Sequence, residues 1–140
     1  MARQIKQVHP DNVICYKVGN FYNCYGKDAY IMSYLFKYKI KTIEEDIAVL
    51  GFPKNALLKV QAVLERKKLN YMLIDTRNNY YVDEEENFGN LNKYEEIFSK
   101  AHSSLKLQRR IDKICETLKQ EQNIDKIRKI EEIVYEIGKI

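Results

Sequence analysis

Phe21 and Tyr22 follow directly on a Gly19-Asn20 pair, which itself closes an apolar run from Val13 to Val18. Gly-Asn is turn chemistry, so two rings stand just past a reversal of the chain. Such rings can pack into a core. They can also form a wedge offered to a flat, stackable partner such as a nucleobase. Lys37, Lys39 and Lys41 recur at alternate positions, with further bases at Lys17, Lys27, Lys54 and Lys59. Cations interleaved with rings suit a nucleic acid, because ammonium groups neutralise phosphates while rings stack on bases. Eleven tyrosines make that interleaving common in this chain, and most of them are expected to pack against a sheet with their hydroxyls at its rim.

Catalytic patterns are missing. The chain has no GxxxxGK[ST], no GxGxxG and no HExxH, and no Ser, His and Asp stand in a triad motif. Cys15, Cys24 and Cys115 form no CxxC pair, and His9 and His102 lack ligand spacing. Glu44-Glu45-Asp46 and Asp83-Glu84-Glu85-Glu86 are carboxylate clusters, and their default reading is solvated loop. The expectation is a non-enzyme with no cofactor and no metal.

The 140 residues allow one domain with an appendage. The net charge of +4 is unevenly spread, with bases in excess up to Arg77 and an acidic run from Asp83 offsetting them. A basic front half favours an anionic partner. No apolar run approaches the roughly 20 residues that span a bilayer, and Met-Ala-Arg-Gln-Ile-Lys lacks the apolar core of a signal peptide. No membrane contact and a cytoplasmic location are expected, with reduced thiols.

These residues need elements to hold them. Val13–Val18 and Phe21–Tyr25 read as a hairpin, and Phe21 and Tyr22 must then point to opposite faces. Asp28 suits a helix N-cap before a helix over 29–36. Phe36 to Lys41 alternates strictly, predicting a half-buried strand whose outer face is a ladder of Lys37, Lys39 and Lys41. Ile47–Leu50 reads as a strand ended by Gly51, Pro53 as a helix start, and 70–75 as a buried strand. Arg77-Asn78-Asn79 reads as a turn and 80–82 as an edge strand. Hairpins and crossovers mix, so the expected class is α/β (α+β): a mixed sheet flanked by helices over 1–82.

Residues 83–90 read as an acidic linker, and 91–140 as a helical tail. Leu107, Ile111, Ile114 and Leu118 repeat in a 4-3-4 pattern. That phase then meets only charged residues, and a new stripe begins on Ile127, Ile130, Val134 and Ile137. A helical hairpin with a turn near 120–123 is expected, Asn123 capping the second helix.

Several landmarks in order are similar to the N-terminal mismatch-recognition domain of MutS proteins. They are Ile5-Lys6-Gln7-Val8-His9-Pro10-Asp11, Tyr16-Lys17-Val18-Gly19-Asn20-Phe21-Tyr22, Asp28-Ala29 and Gly51-Phe52-Pro53-Lys54-Asn55. The resemblance covers 5–76. In that family a Gly-Asp-Phe-Tyr-Glu motif puts its phenylalanine into the minor groove, stacked on a mispaired base in a kinked duplex. The resemblance implies this role for Phe21. The family's glutamate, which bonds the mispaired base, is matched by Asn23, and the motif aspartate by Asn20. Asn23 can donate and accept a hydrogen bond but brings no charge. The family's later domains and ATPase are not expected in this chain.

The expected function is therefore a nucleic-acid-binding module, most simply for mismatched or deformable DNA. Phe21 is the wedge, Asn23 a base-edge partner, and Lys17, Lys37, Lys39, Lys41 and Lys54 the phosphate contacts. The tail would join copies into a homo-oligomer through 91–140. The alternative is a protein-interaction adaptor that keeps the fold and docks a repair or replication partner through its tail.

Overall fold

Val13–Val18 (β1) is rich in β-branched and aromatic side chains, and so is its partner Phe21–Tyr25 (β2). A two-residue loop joins them, with Val18 paired to Phe21. Gly19 alone in that loop is left-handed, at φ 61°, the pattern of a II′ turn with glycine first. The computed structural model describes residues 2–43, 47–77, 79–89 and 91–139, leaving aside the side chains of Ile43 and Leu91. The Glu44-Glu45-Asp46 cluster, Asn78 of the predicted turn and Asn90 of the predicted linker lie outside the described residues.

The elements run α1 (Ala2–Val8), β1, β2, α2 (Lys27–Phe36), β3 (Lys41–Ile43), β4 (Ile47–Pro53), a 3-10 turn (Lys54–Ala56), α3 (Leu57–Arg66), β5 (Tyr71–Asp75), β6 (Tyr81–Glu86), α4 (Leu91–Gln120) and α5 (Ile124–Gly138). The described strands form one six-stranded sheet in the order β3-β4-β2-β1-β5-β6. β1 and β5 are parallel and every other pairing is antiparallel. The class is a mixed-sheet α+β fold followed by helices. The chain divides into two compact units, Met1–Leu105 and Lys106–Ile140. Among the described residues no helix is long and apolar enough to cross a membrane.

In the first unit one sheet face carries the main core. Val13, Cys15, Tyr22, Cys24, Leu50, Phe52, Tyr71 and Leu73 meet side chains of α2, α3 and the start of α4. On the other face α1 covers only part of the sheet, where Ala2 and Ile5 pack on Ile14, Tyr16, Met72 and Ile74.

Four expectations need correction. Residues 36–40 are not a strand, and β3 begins only at Lys41. Helix α2 runs to Phe36, and Lys37 ends it in the left-handed conformation, with its N–H donated to the Ser33 carbonyl. Phe36, Tyr38 and Ile40 do turn to the core and the three lysines do face solvent. The alternation tracked burial in a connection, and no lysine ladder forms.

Asp28 is not an N-cap. It sits in the first turn of α2, 2% exposed, and accepts from Lys6 Nζ at 2.8 Å, Tyr94 OH at 2.6 Å and the Ile14 N–H at 3.2 Å. One carboxylate thus ties α1, β1, α2 and α4 together. Burial pushes its pKa up, and the Lys6 ammonium opposes that rise.

Asp83–Glu86 is not a linker but part of edge strand β6, so the sheet extends past residue 82 and its unit continues to Leu105. All its side chains are exposed, as suits a charged edge that repels further strands. Glu84 accepts from Gln61 Nε2 at 2.8 Å and Asn70 accepts from the Phe88 N–H at 2.7 Å, which pins the segment down. Finally, β4 does not stop at Gly51 but continues to Pro53.

In the second unit α5 begins where the stripe changes phase. Asn123 accepts from the N–H groups of Asp125 and Lys126, as an N-cap should.

Candidate nucleic-acid interface

Alternation along β2 separates its two leading rings. Tyr22 is 4% exposed and Phe21 is 52% exposed. Tyr22 stacks on its cross-strand partner Phe52 at 5.4 Å, and Phe52 on Tyr38 at 6.1 Å. Tyr38 in turn stacks on Phe36 at 5.8 Å. Four rings therefore buttress the strand from the core side while Phe21 projects from the other. A side chain held this way spends little conformational entropy when a flat partner stacks on it.

The sheet's register defines what surrounds Phe21. Residues directly opposed across strands share a face. Val18, Phe21 and Pro53 make one row, and Tyr16, Asn23 and Gly51 the next. Tyr16 belongs to the patch that α1 covers. Val18 is 46% exposed, so Val18, Phe21, Asn23, Gly51 and Pro53 form the part of this face that α1 leaves open. Among the described residues no hydrogen-bond partner engages the Asn23 carboxamide. Glycine at position 51 keeps β4 bare beneath it, because a Cβ there would meet Asn23 Oδ1 at 3.0 Å. The base of the hairpin is tied to β4 by the Lys54 N–H, donated to the Asn20 carbonyl at 2.9 Å.

The lysines divide. Lys41 pairs with Val49, which pairs with Tyr25 of β2, so Lys41 shares the face of Phe21 and Asn23. At the usual strand spacing it stands roughly 10 Å from β2. Lys54 is exposed immediately after Pro53, at the rim of the Phe21 row. Lys37 and Lys39 are exposed in the connection between α2 and β3, with Lys37 Nζ 5.8 Å from the Tyr34 ring. Lys17 pairs with Tyr22 and Asp75, which puts it on the opposite face from Phe21. Asp75 is held below the usual carboxylate range, chiefly by the Arg77 N–H and also by nearby cations including Lys17. The structure thus brings Phe21, Asn23, Lys41 and Lys54 toward one side and leaves Lys17 out.

Charge is also polarised across the sheet. Lys41 lies on one edge strand, and the carboxylates of β6 lie on the other, about 14 Å from β2. Val18, Gly51 and Pro53 were not anticipated as part of the face. The alternation of Ile14, Tyr16 and Val18 could have pointed to Val18. Gly51 and Pro53 become visible only through the register of β2 on β4. Among the described residues no cluster of His, Cys, Asp and Glu comes together with the makings of a metal site.

Comparison with protein-family models matches MutS domain I over residues 2–75, just over half the chain. No curated protein matches. The matched stretch contains α1, the hairpin, β4 and β5, and so every residue of the open face around Phe21.

Proposed function

The chain belongs to the MutS domain I family, a family of DNA mismatch recognition, and from that membership we propose that it binds duplex DNA at mismatched or otherwise deformable steps without catalysing a reaction on it. The observation that carries this reading is the half-exposed Phe21 ring, mounted on a strand whose other face is locked by Tyr22 and Phe52. Phe21 inserts from the minor groove and stacks on a base at a step that is already cheap to unstack and bend. Asn23, beside it on the same face, hydrogen-bonds a base edge. Asparagine both donates and accepts, so it selects less sharply than a carboxylate. Lys41 and Lys54 meet phosphates, and Lys37 and Lys39 extend that contact beyond the sheet edge. The acidic β6 edge turns the duplex toward the lysine side.

The test is binding of wild type and Phe21→Ala to homoduplex, mismatched, bulged and single-stranded oligonucleotides at several salt concentrations. Wild type should favour mismatched or bulged duplex, and Phe21→Ala should lose that preference. Failure of wild type to bind any of them at low salt would defeat the DNA reading. Equal binding by Phe21→Ala would remove the wedge while leaving a lysine-driven contact.

A further inference from the structure

Lys106–Ile140 is a compact unit in which, among the described residues, no side chain is buried. Leu118, Ile127 and Ile130 are half-covered near the turn. Leu107, Ile111 and Ile114 of α4 are 43–59% exposed, and Ile124, Ile133, Val134 and Ile137 of α5 are 58–63% exposed. Two helices with apolar strips at helical spacing and no core gain little from each other alone. The strips need an apolar surface to lie on.

Charge identifies that surface. Lys106, Arg109, Arg110, Lys113 and Lys119 accompany the apolar strip of α4, with Asp112 and Glu116 as the acids among them. Glu131, Glu132 and Glu136 accompany the strip on the second half of α5. The strip over 106–113 of α4 therefore lies in a basic field and that over 131–137 of α5 in an acidic one, while Lys126, Arg128 and Lys129 make the first half of α5 basic. Laying α4 on α4 of another molecule would set like charges together. Laying α4 on α5 sets opposite charges together, and a twofold axis makes that contact twice. We infer that this unit pairs with the same unit of a second copy of the chain, α4 of each against α5 of the other, in a four-helix arrangement. Each copy covers both strips of its partner, so the assembly closes at two. The pairing stands apart from the DNA reading. If both hold, two Phe21-bearing domains share one particle and gain avidity.

Sedimentation and light scattering on the full chain test this. Wild type should show twice its 16.7 kDa mass across a micromolar range. Two charge-reversed variants separate the pairing from any effect inside one hairpin. Arg109→Glu with Arg110→Glu makes both strips acidic, and Glu131→Arg with Glu132→Arg makes both basic. Each variant alone should dissociate at least tenfold more readily than wild type. An equal mixture should recover the dimer, because each acidic α4 then meets a basic α5 of the other variant. A wild type that stays monomeric would overturn the inference and leave the strips to an unlike protein. So would a dimer indifferent to both reversals, or a mixture that does not recover.

Discussion

Asn23 Oδ1 lies 3.0 Å from the point that a Cβ on Gly51 would occupy, so the carboxamide on β2 sits over a bare stretch of β4. The blocking atom is the tip of a flexible side chain and not backbone. Gly51→Ala should therefore fold normally, with stability within about 1 kcal/mol of wild type by urea titration. The carboxamide must move aside by a few tenths of an ångström. If Asn23 reads a base edge, Gly51→Ala should change which mismatches are preferred while overall affinity for duplex changes less. Identical preferences in Gly51→Ala and wild type would place base reading elsewhere.

Phe21 and Tyr22 are neighbours in sequence with opposite structural roles, and stability measurements should separate them. Phe21 is half-exposed and closes the hairpin, so Phe21→Ala should cost about 1 kcal/mol or less. Tyr22 is buried and stacked on Phe52. Removing either of those two rings opens a core cavity, so Tyr22→Ala or Phe52→Ala should cost about 3–5 kcal/mol. A Phe21→Ala penalty as large as that of Tyr22→Ala would mean that Phe21 is a packing residue.

The hairpin, the mixed sheet and the helical turn at Asn123 were legible because each rests on local chemistry. Gly19 supplies the left-handed turn residue, alternation splits Phe21 from Tyr22, and Asn123 caps α5. The failures are cases where tertiary contacts overrode local pattern. Phe36, Tyr38 and Ile40 alternate as a strand would, yet Lys37 adopts the left-handed conformation and the rings stack in a connection. Asp83–Glu86 has linker composition, but β5 offers an unpaired edge that exposed carboxylates can line. Asp28 has cap chemistry, and only the approach of Lys6 and Tyr94, from 22 and 66 residues away in sequence, makes it a buried hub. The open face around Phe21 was half visible for the same reason. Its aromatic wedge is local, whereas the exclusion of Lys17 and the inclusion of Gly51 depend on register between strands.

Alkaline pH should unfold the chain through its buried phenols. Burial is the leading cause that raises the pKa of Tyr16, Tyr22, Tyr71 and Tyr94, and nearby carboxylates add to it. In the unfolded chain these tyrosines ionise near their ordinary value of 10.0, while in the fold they keep their protons. The unfolded state then binds fewer protons, so the stability is fully present below pH 10 and is lost as pH rises above it. Each phenol contributes up to about 1.4 kcal/mol per pH unit. Urea midpoints measured on either side of pH 10 should fall steeply on the alkaline side. Tyr94→Phe should be less stable by about 1.5–3 kcal/mol at neutral pH, having lost its bond to Asp28. It should also show a shallower alkaline fall. An unchanged alkaline slope in Tyr94→Phe would remove this phenol from the effect.

Lys41 and Lys17 give the sharpest test of which face meets DNA. Both are lysines in the same sheet, and their unlike register places them on opposite faces. A phosphate contact appears as the slope of log affinity against log salt, and losing one contact lowers that slope by about 1. Lys41→Ala and Lys54→Ala should each reduce the slope and weaken matched and mismatched duplexes alike. Lys17→Ala should leave both slope and preference close to wild type. The two lysines differ little in what a non-specific cation cloud would notice. A shallower slope in Lys17→Ala with none in Lys41→Ala would put the duplex on the core-side face, away from Phe21. Equal small losses at all three positions would mean that the lysines act through net charge and not through a defined track.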